Sequence, residues 1–282
     1  MLEKIGERVD GAEWKDKEAL LHVSNPHALT QVAGYVKYVS ARNNRSIYYR
    51  GQNDLHHGKM VPPLYRLPSI GQNGITSLGK KLDDYINEAH GKNAFLRGTP
   101  YEVCEPLLQH YGMKTRWIDI VDNVWVSLWF ACYNIRINGH MAQYVNYERR
   151  NTCRESGGFA YIVLMGIENP NPHNNLPGYF KGDDAWLIDL RLAAPSVFIR
   201  PHAQYGLLLK RKTICNDCDM SHLVVDRIRI NLCDALAWLG VGELLSAHTF
   251  FPPPTYDSGY RTLLEKAPAG SKELGSVWIV GA

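Results

Sequence analysis

Three polar segments, far apart in the chain, carry side chains able to act on a ligand. Arg50 closes a short apolar run, Ile47-Tyr48-Tyr49, and is followed by Gly51. An arginine at a strand end is placed to grip a phosphate or carboxylate through two parallel hydrogen bonds. A glycine beside it lets a ligand approach the backbone. The plain alternative is a surface arginine in a salt bridge. Asp119 stands in an oily stretch made by Trp117, Ile118, Ile120, Val121 and Trp125. A carboxylate there must be hydrogen-bonded, paired or at a ligand site. Arg116 and Arg50 are its candidate partners, and a helix N-cap or a structural ion pair is the plain alternative. His202 and Gln204 lie between two apolar pieces. On a strand they share a face, because side chains alternate, and that face lines either a cleft or solvent.

Other chemistries lack their residues. Cys215 and Cys218, with His222 four residues on, make the local half of a zinc site. The second close pair of a structural site is missing, since Cys104, Cys132, Cys153 and Cys233 are scattered singly. The segment therefore reads as a turn with two thiols and no metal. There is no Gly-x-Ser-x-Gly, no Gly-x-Gly-x-x-Gly after a strand, no Gly-Lys-Ser/Thr loop and no His-Glu-x-x-His. The usual hydrolase, dehydrogenase, kinase and zinc-protease motifs are thus absent.

The elements that must position these residues follow from pattern. Leu29, Val32, Val36 and Val39 recur at helical spacing, predicting a helix over 29–42 with Ser24 or Asn25 as its opening cap. A strand is expected over 46–49, a long loop over 52–79, and helices over 80–90 and 102–111. A strand over 115–120 should lead into a helix over 124–135, capped by Asp122 or Asn123 and buried on most sides. Residues 138–158 and 170–182 read as loops, residues 159–167, 186–192, 197–209 and 222–230 as strands, and 233–239 as a short helix. Helices mixed with strands, without βαβ alternation, predict an α+β fold rather than a doubly wound one.

Composition bounds the rest. The 282 residues are 45% hydrophobic and 21% charged, which suits a globular core and excludes disorder as the main state. No linker is evident, so the chain reads as one domain, 1–282. Thirty-one basic against 28 acidic residues leave a formal charge of +3, too small to imply nucleic-acid binding by itself. No apolar run approaches membrane-spanning length. The charged N-terminus predicts no secretory signal, a cytoplasmic location and reduced thiols.

Taken together, Tyr49-Arg50-Gly51-Gln52, then Leu108-Gln109-His110-Tyr111-Gly112 with Thr115-Arg116 and Asp119, then Ser127-Leu128-Trp129-Phe130-Ala131, then Ala203-Gln204-Tyr205-Gly206, resemble the bacterial FRG domain over a core of about 30–265. The family usually has Leu-Asp-Trp-Thr where this chain has Ile118-Asp119-Ile120-Val121. More distantly, the set is similar to arginine-class ADP-ribosyltransferases. In those enzymes an arginine holds the NAD phosphates, a Ser-Thr-Ser strand follows, and a Glu/Gln-x-Glu motif comes late. Here Arg50, the Asp119 segment and His202-x-Gln204 take those positions. The Ser-Thr-Ser residues and the late glutamate are absent.

The resemblance implies a single domain with a split, mostly antiparallel β-sheet core of ADP-ribosyltransferase type, flanked by helices, with NAD as cofactor. It implies an effector of a bacterial toxin–antitoxin or phage-defence system that transfers ADP-ribose to a macromolecule, RNA being one candidate acceptor and an antitoxin protein a candidate partner. Arg50, Asp119, Gln204 and His202 would be catalytic. Arg50, Gly51, Gln52, His110, Tyr111, Arg116 and Tyr205 would bind the cofactor. The rival readings are a non-enzymatic sensor of a nucleotide or phage component, favoured by the missing glutamate, and a nuclease, which would need a cluster of acidic metal ligands that the sequence does not show.

Overall fold

The structure, a computed structural model, describes residues 1–66, 71–91, 96–139, 143–152, 158–212, 218–268 and 270–281. In chain order its strands are β1 (Ala12–Lys15), β2 (Leu20–Val23), β3 (Arg45–Gln52), β4 (Ile118–Val121), β5 (Tyr133–Asn138), β6 (Gln143–Arg149), β7 (Phe159–Glu168), β8 (Asn171–His173), β9 (Leu176–Lys181), β10 (Ala185–Asp189), β11 (Gly206–Arg211), β12 (Val224–Asn231) and β13 (Trp278–Val280). Ten of them form one sheet in the order β1-β2-β12-β7-β3-β4-β11-β10-β9-β8. Every pairing in it is antiparallel except β2 with β12. β13, β6 and β5 form a second, three-stranded sheet. The α+β class expected from the sequence holds.

Period-two alternation explains β3. Ile47 and Tyr49 enter one core, beside the helix Pro26–Arg42, and Tyr48 packs on the opposite face against a core containing Ile118, Ile120, Val163 and Met165. β3 pairs with β7 along its whole length, from Arg45 to Gln52. Against β4 it is paired only at Tyr49 and Val121. The sheet therefore opens between β3 and β4 just where Arg50 and Asp119 stand. A third core joins Trp117, Ile188 and Leu208 to the helices Gln72–His90, Tyr101–His110 and Ser258–Lys266.

The helix Val124–Cys132 starts where expected. Asn123 is its cap, accepting from the backbone N–H of Trp125 (2.9 Å) and Val126 (3.3 Å). It lies directly on β3. A Cβ built on Gly51 would stand 1.7 Å from the Ser127 carbonyl oxygen. The helix backbone fills the space where a side chain would be, while Gly51 itself lines the cavity described below.

Other departures have local causes. The first long helix begins at Pro26, because the Asn25 side chain accepts from Ala28 N–H (2.7 Å) and proline suits the first turn. The second begins at Gln72, eight residues before the expected Lys80. The helix expected to reach Ile135 stops at Cys132, and Tyr133 opens β5. Residues 143–149, expected in a loop, form β6, whose alternation is short: Val145 and Tyr147 face inward, Tyr144, Asn146 and Glu148 outward, and polar Gln143 and Arg149 stand at its ends. Residues 171–181, also expected in a loop, form the edge strands β8 and β9. The expected strand over 197–209 is a helical turn, Arg200–Ala203, with Pro201 in its first turn, followed by Tyr205 at φ +53° and then β11. His202 and Gln204 thus do not share a strand face: His202 is exposed and Gln204 buried. Among the described residues no helix is long and apolar enough to cross a membrane.

The Gly51 contact is testable by a matched pair. Gly51→Ala should destabilise the protein by about 1–3 kcal/mol, because backbone must shift to admit the methyl. Gly34→Ala, at a helical position where a Cβ meets nothing within 4 Å, should be neutral or stabilising by up to about 1 kcal/mol. Urea midpoints of the two variants against wild type check this.

Candidate functional site

The opening between β3 and β4 is a cavity of about 480 Å³, within the usual range for a small-molecule site. Its polar lining comes from Arg50, Gln52, Asn53, His56, Arg66, Gln109, His110, Asp119, Asn134 and Gln204. Its apolar wall comes from Tyr49, Ile120, Val121, Phe130, Tyr133, Ile135, Tyr147, Phe251 and Trp278. Asp119 is the one carboxylate among the described lining residues.

Arg50 reaches across the opening and donates from Nη1 to the Asp119 carbonyl (2.5 Å). Its Nε is buried without a partner. Burial lowers the guanidinium's pKa, and the Asp119 charge opposes that. Arg66 donates from Nε to the Val61 carbonyl (2.8 Å). Its pKa falls to about 10, through desolvation by the surrounding protein first and the nearby Arg50 charge second, with Asp119 opposing, although part of the residue reaches solvent. Two cations thus sense each other in one cavity.

Asp119 sits at the end of a polar chain. The Thr115 hydroxyl donates to Gln109 Oε1, and Gln109 Nε2 donates to Asp119 Oδ2 (2.7 Å). His110 Nδ1 lies 3.8 Å from Asp119 Oδ1, an ion-pair distance when the ring is protonated. The Asp119 side chain is 42% exposed and lines the cavity. Burial raises its pKa, but hydrogen bonding and charge from His110, the charge of Arg50 and the Gln109 hydrogen bond outweigh burial and hold it below the ordinary aspartate value. It is a carboxylate at neutral pH. Gln204, 5% exposed, donates from Nε2 to the Phe250 carbonyl (2.7 Å). The aromatic wall is stacked: Trp129 lies on Tyr133 at 4.1 Å and Tyr147 on Phe251 at 4.3 Å between ring centroids.

Arg50, Gly51, Gln52, His110, Asp119 and Gln204, six of the residues singled out in the sequence, meet at this cavity. Four others are not among the residues that line it. Tyr111 is fully buried, donates to Asp257 (2.6 Å) and packs on Tyr260. Arg116 forms a two-pronged pair with Glu105 (2.9 Å each) and reaches Asp83 (2.6 Å). Tyr205 lies on the surface beside Arg191, and His202 is exposed. Several basic residues elsewhere are committed within the fold: Arg45 pairs with Glu168, Arg149 donates to the Leu236 carbonyl, Arg150 to two carbonyls, Arg211 to the Asp219 carbonyl, and Lys210 pairs with Glu105. Cys215 and Cys153 lie outside the described residues. Among those described, no group of three or more His, Cys, Asp or Glu is placed to hold a metal.

The sequence did not single out Arg66, Tyr147, Phe251 or Trp278. Phe130 lies in the helix that the sequence marked out, whereas Tyr133 opens β5 just beyond its end. Arg66 follows Pro62-Pro63 in a segment without periodicity, and nothing local marks it.

Fold and site together define a mixed α/β protein whose large, mostly antiparallel sheet opens onto one arginine-bearing, aromatic-walled cavity. The family model of the FRG domain matches residues 45–138. That span holds Arg50, Arg66, Gln109, His110 and Asp119, and it supports kinship with the FRG family. No curated protein and no solved structure matches the chain.

The lowered Asp119 pKa fixes the sign of a pH effect. A carboxyl more acidic in the folded state contributes stability that is complete above its unfolded value, about 3.9, and is lost as pH falls through the folded value. The stability advantage of wild type over Asp119→Asn should therefore be constant from neutrality to about pH 5 and shrink below about pH 4. Thermal melts across that range measure it, and a gap independent of pH would contradict the assignment.

Proposed function

We propose that this protein is an NAD-dependent ADP-ribosyltransferase of the FRG group, acting as an effector in a bacterial toxin–antitoxin or phage-defence system. The observation that carries the reading is the convergence of Arg50, Asp119 and Gln204 on one cavity, from β3, β4 and the turn before β11, three neighbouring strands. The opening between β3 and β4 is in keeping with the split sheet that the transferase resemblance implies.

The residues present fit the cofactor. An unpartnered Arg50 Nε and a second guanidinium suit a diphosphate, and a wall of Phe130, Tyr133, Tyr147 and Phe251 suits planar rings. NAD supplies the ADP-ribosyl group and releases nicotinamide. Arg50 binds the diphosphate. Gln204, pinned to the Phe250 carbonyl, orients the ribose. Asp119, ionised and held by Gln109, sets a fixed negative charge where positive charge develops in the transition state. The aromatic wall excludes water. The acceptor is a macromolecule, with RNA one candidate.

One observation favours a second reading, a sensor that binds a nucleotide without turnover. No glutamate lines the cavity among the described residues, and the Gln204 amide nitrogen is already committed.

Labelled NAD, mixed with the protein and with RNA and protein acceptors, decides between them. Wild type should release nicotinamide or transfer label, and Arg50→Ala should lower that rate by about 100-fold or more. Equal rates would remove Arg50 from the chemistry. Tight NAD binding without product would establish the sensor.

A further inference from the structure

Arginines in this protein fall into two groups by how their charge is balanced. Arg116 is saturated by Glu105 and Asp83, and Arg191 by Asp189. Arg50 and Arg66 are not. Each spends one nitrogen on a backbone carbonyl, Asp119 and Val61 respectively, and among the described residues neither has a carboxylate oxygen within ion-pair distance. Both line the same cavity. A third cation stands behind its wall. Arg200 is fully buried between the rings of Tyr111 and Tyr260 (4.3 and 4.5 Å) and beside Phe251 (5.3 Å), with Nε and Nη2 unpartnered. Among the described residues Asp119 is the one carboxylate that lines the cavity, and the buried Asp257 stands on the far side of the wall, beside Arg200 and Tyr111.

Like charges lining one cavity repel, and the unpaired buried donors of Arg50 and Arg200 cost free energy. Such an arrangement is relieved by a ligand carrying more than one negative charge. Arg66 is also suitably held: its Nε bond to Val61 fixes the head group, while Nη1 and Nη2 make no hydrogen bond to the described residues.

We propose that Arg66 is the second arm of a clamp that, with Arg50, holds the diphosphate of a nucleotide ligand. The anion follows from the charge balance, and the diphosphate rests on the nucleotide-transfer reading above. In this arrangement Arg50 grips from the strand side and Arg66 from the opposite loop. Arg200 contributes field through the aromatic wall without touching the ligand. A single phosphate engages one arm and a diphosphate engages both.

The test is calorimetric titration of the full chain with inorganic pyrophosphate, inorganic phosphate, adenosine and NAD, using wild type, Arg66→Gln and Arg66→Lys. Wild type should bind pyrophosphate more tightly than phosphate, and more weakly as salt rises. Arg66→Gln should weaken pyrophosphate and NAD by about 10- to 100-fold, as expected for losing one or two charge-assisted hydrogen bonds, and leave adenosine unchanged. Arg66→Lys, which keeps the charge but not the planar fork, should fall between. Arg66 is exposed, so its variants should melt with wild type, which separates lost binding from lost folding. Pyrophosphate binding unaffected in Arg66→Gln, or absent in wild type, overturns the clamp. The transferase reading fails separately, if wild type binds pyrophosphate and yet never consumes NAD.

Discussion

The structure turns on a side chain standing in for a missing stretch of β-ladder. β3 and β4 are neighbours but share only the Tyr49–Val121 pairing. Beyond it, the Asp119 carbonyl takes its hydrogen bond from Arg50 Nη1. That contact holds the sheet together where its backbones part, and the gap it spans is the cavity. Backbone polar groups inside a protein must find partners. A longer donor than an amide N–H is what lets two strands separate without leaving the Asp119 carbonyl unpaired.

Satisfaction of polar groups separates scaffold from site. Asp257, fully buried, accepts from the Tyr111 hydroxyl and from the backbone N–H groups of Ile199, Arg200 and Tyr260. It ties three chain segments together, with both of its oxygens engaged. The Arg116–Glu105–Asp83 cluster is likewise internally paired. Those networks explain why Tyr111 and Arg116, adjacent in sequence to cavity residues, belong to the scaffold. The cavity shows the opposite pattern, with Arg50 Nε and His110 Nε2 buried and unpartnered. His110 is pressed against Gly206, where a Cβ would lie 2.5 Å from the ring. That glycine exists for the histidine, as Gly51 exists for the helix on β3.

The motif residues were legible because their chemistry is conspicuous against their neighbours: an arginine after Ile-Tyr-Tyr, an aspartate among tryptophans, a glutamine between apolar runs. Burying such groups demands a reason whatever the fold. The helices Pro26–Arg42 and Val124–Cys132 and the strand Phe159–Glu168 were legible too, since their period and caps are local properties. The turn at Arg200–Ala203 was not. Its apolar neighbours suggested a strand, and what stops one is Pro201 together with Asp257, more than fifty residues away, collecting the N–H groups of Ile199 and Arg200.

By itself, then, the sequence determined the α+β class, the main core elements and the identity of the polar residues that meet at the cavity, because side-chain type, periodicity and capping act over a few residues. Tertiary structure alone decided which of those residues share an enclosure. It moved Tyr111 and Arg116 into the scaffold and brought in Arg66, Tyr147, Phe251 and Trp278 from segments with no signal of their own. It also showed that Gly51, at the cavity wall, seats a helix on the side where a Cβ would be. The physical reason is that charge balance and close packing depend on distances across the fold, which no spacing along the chain encodes.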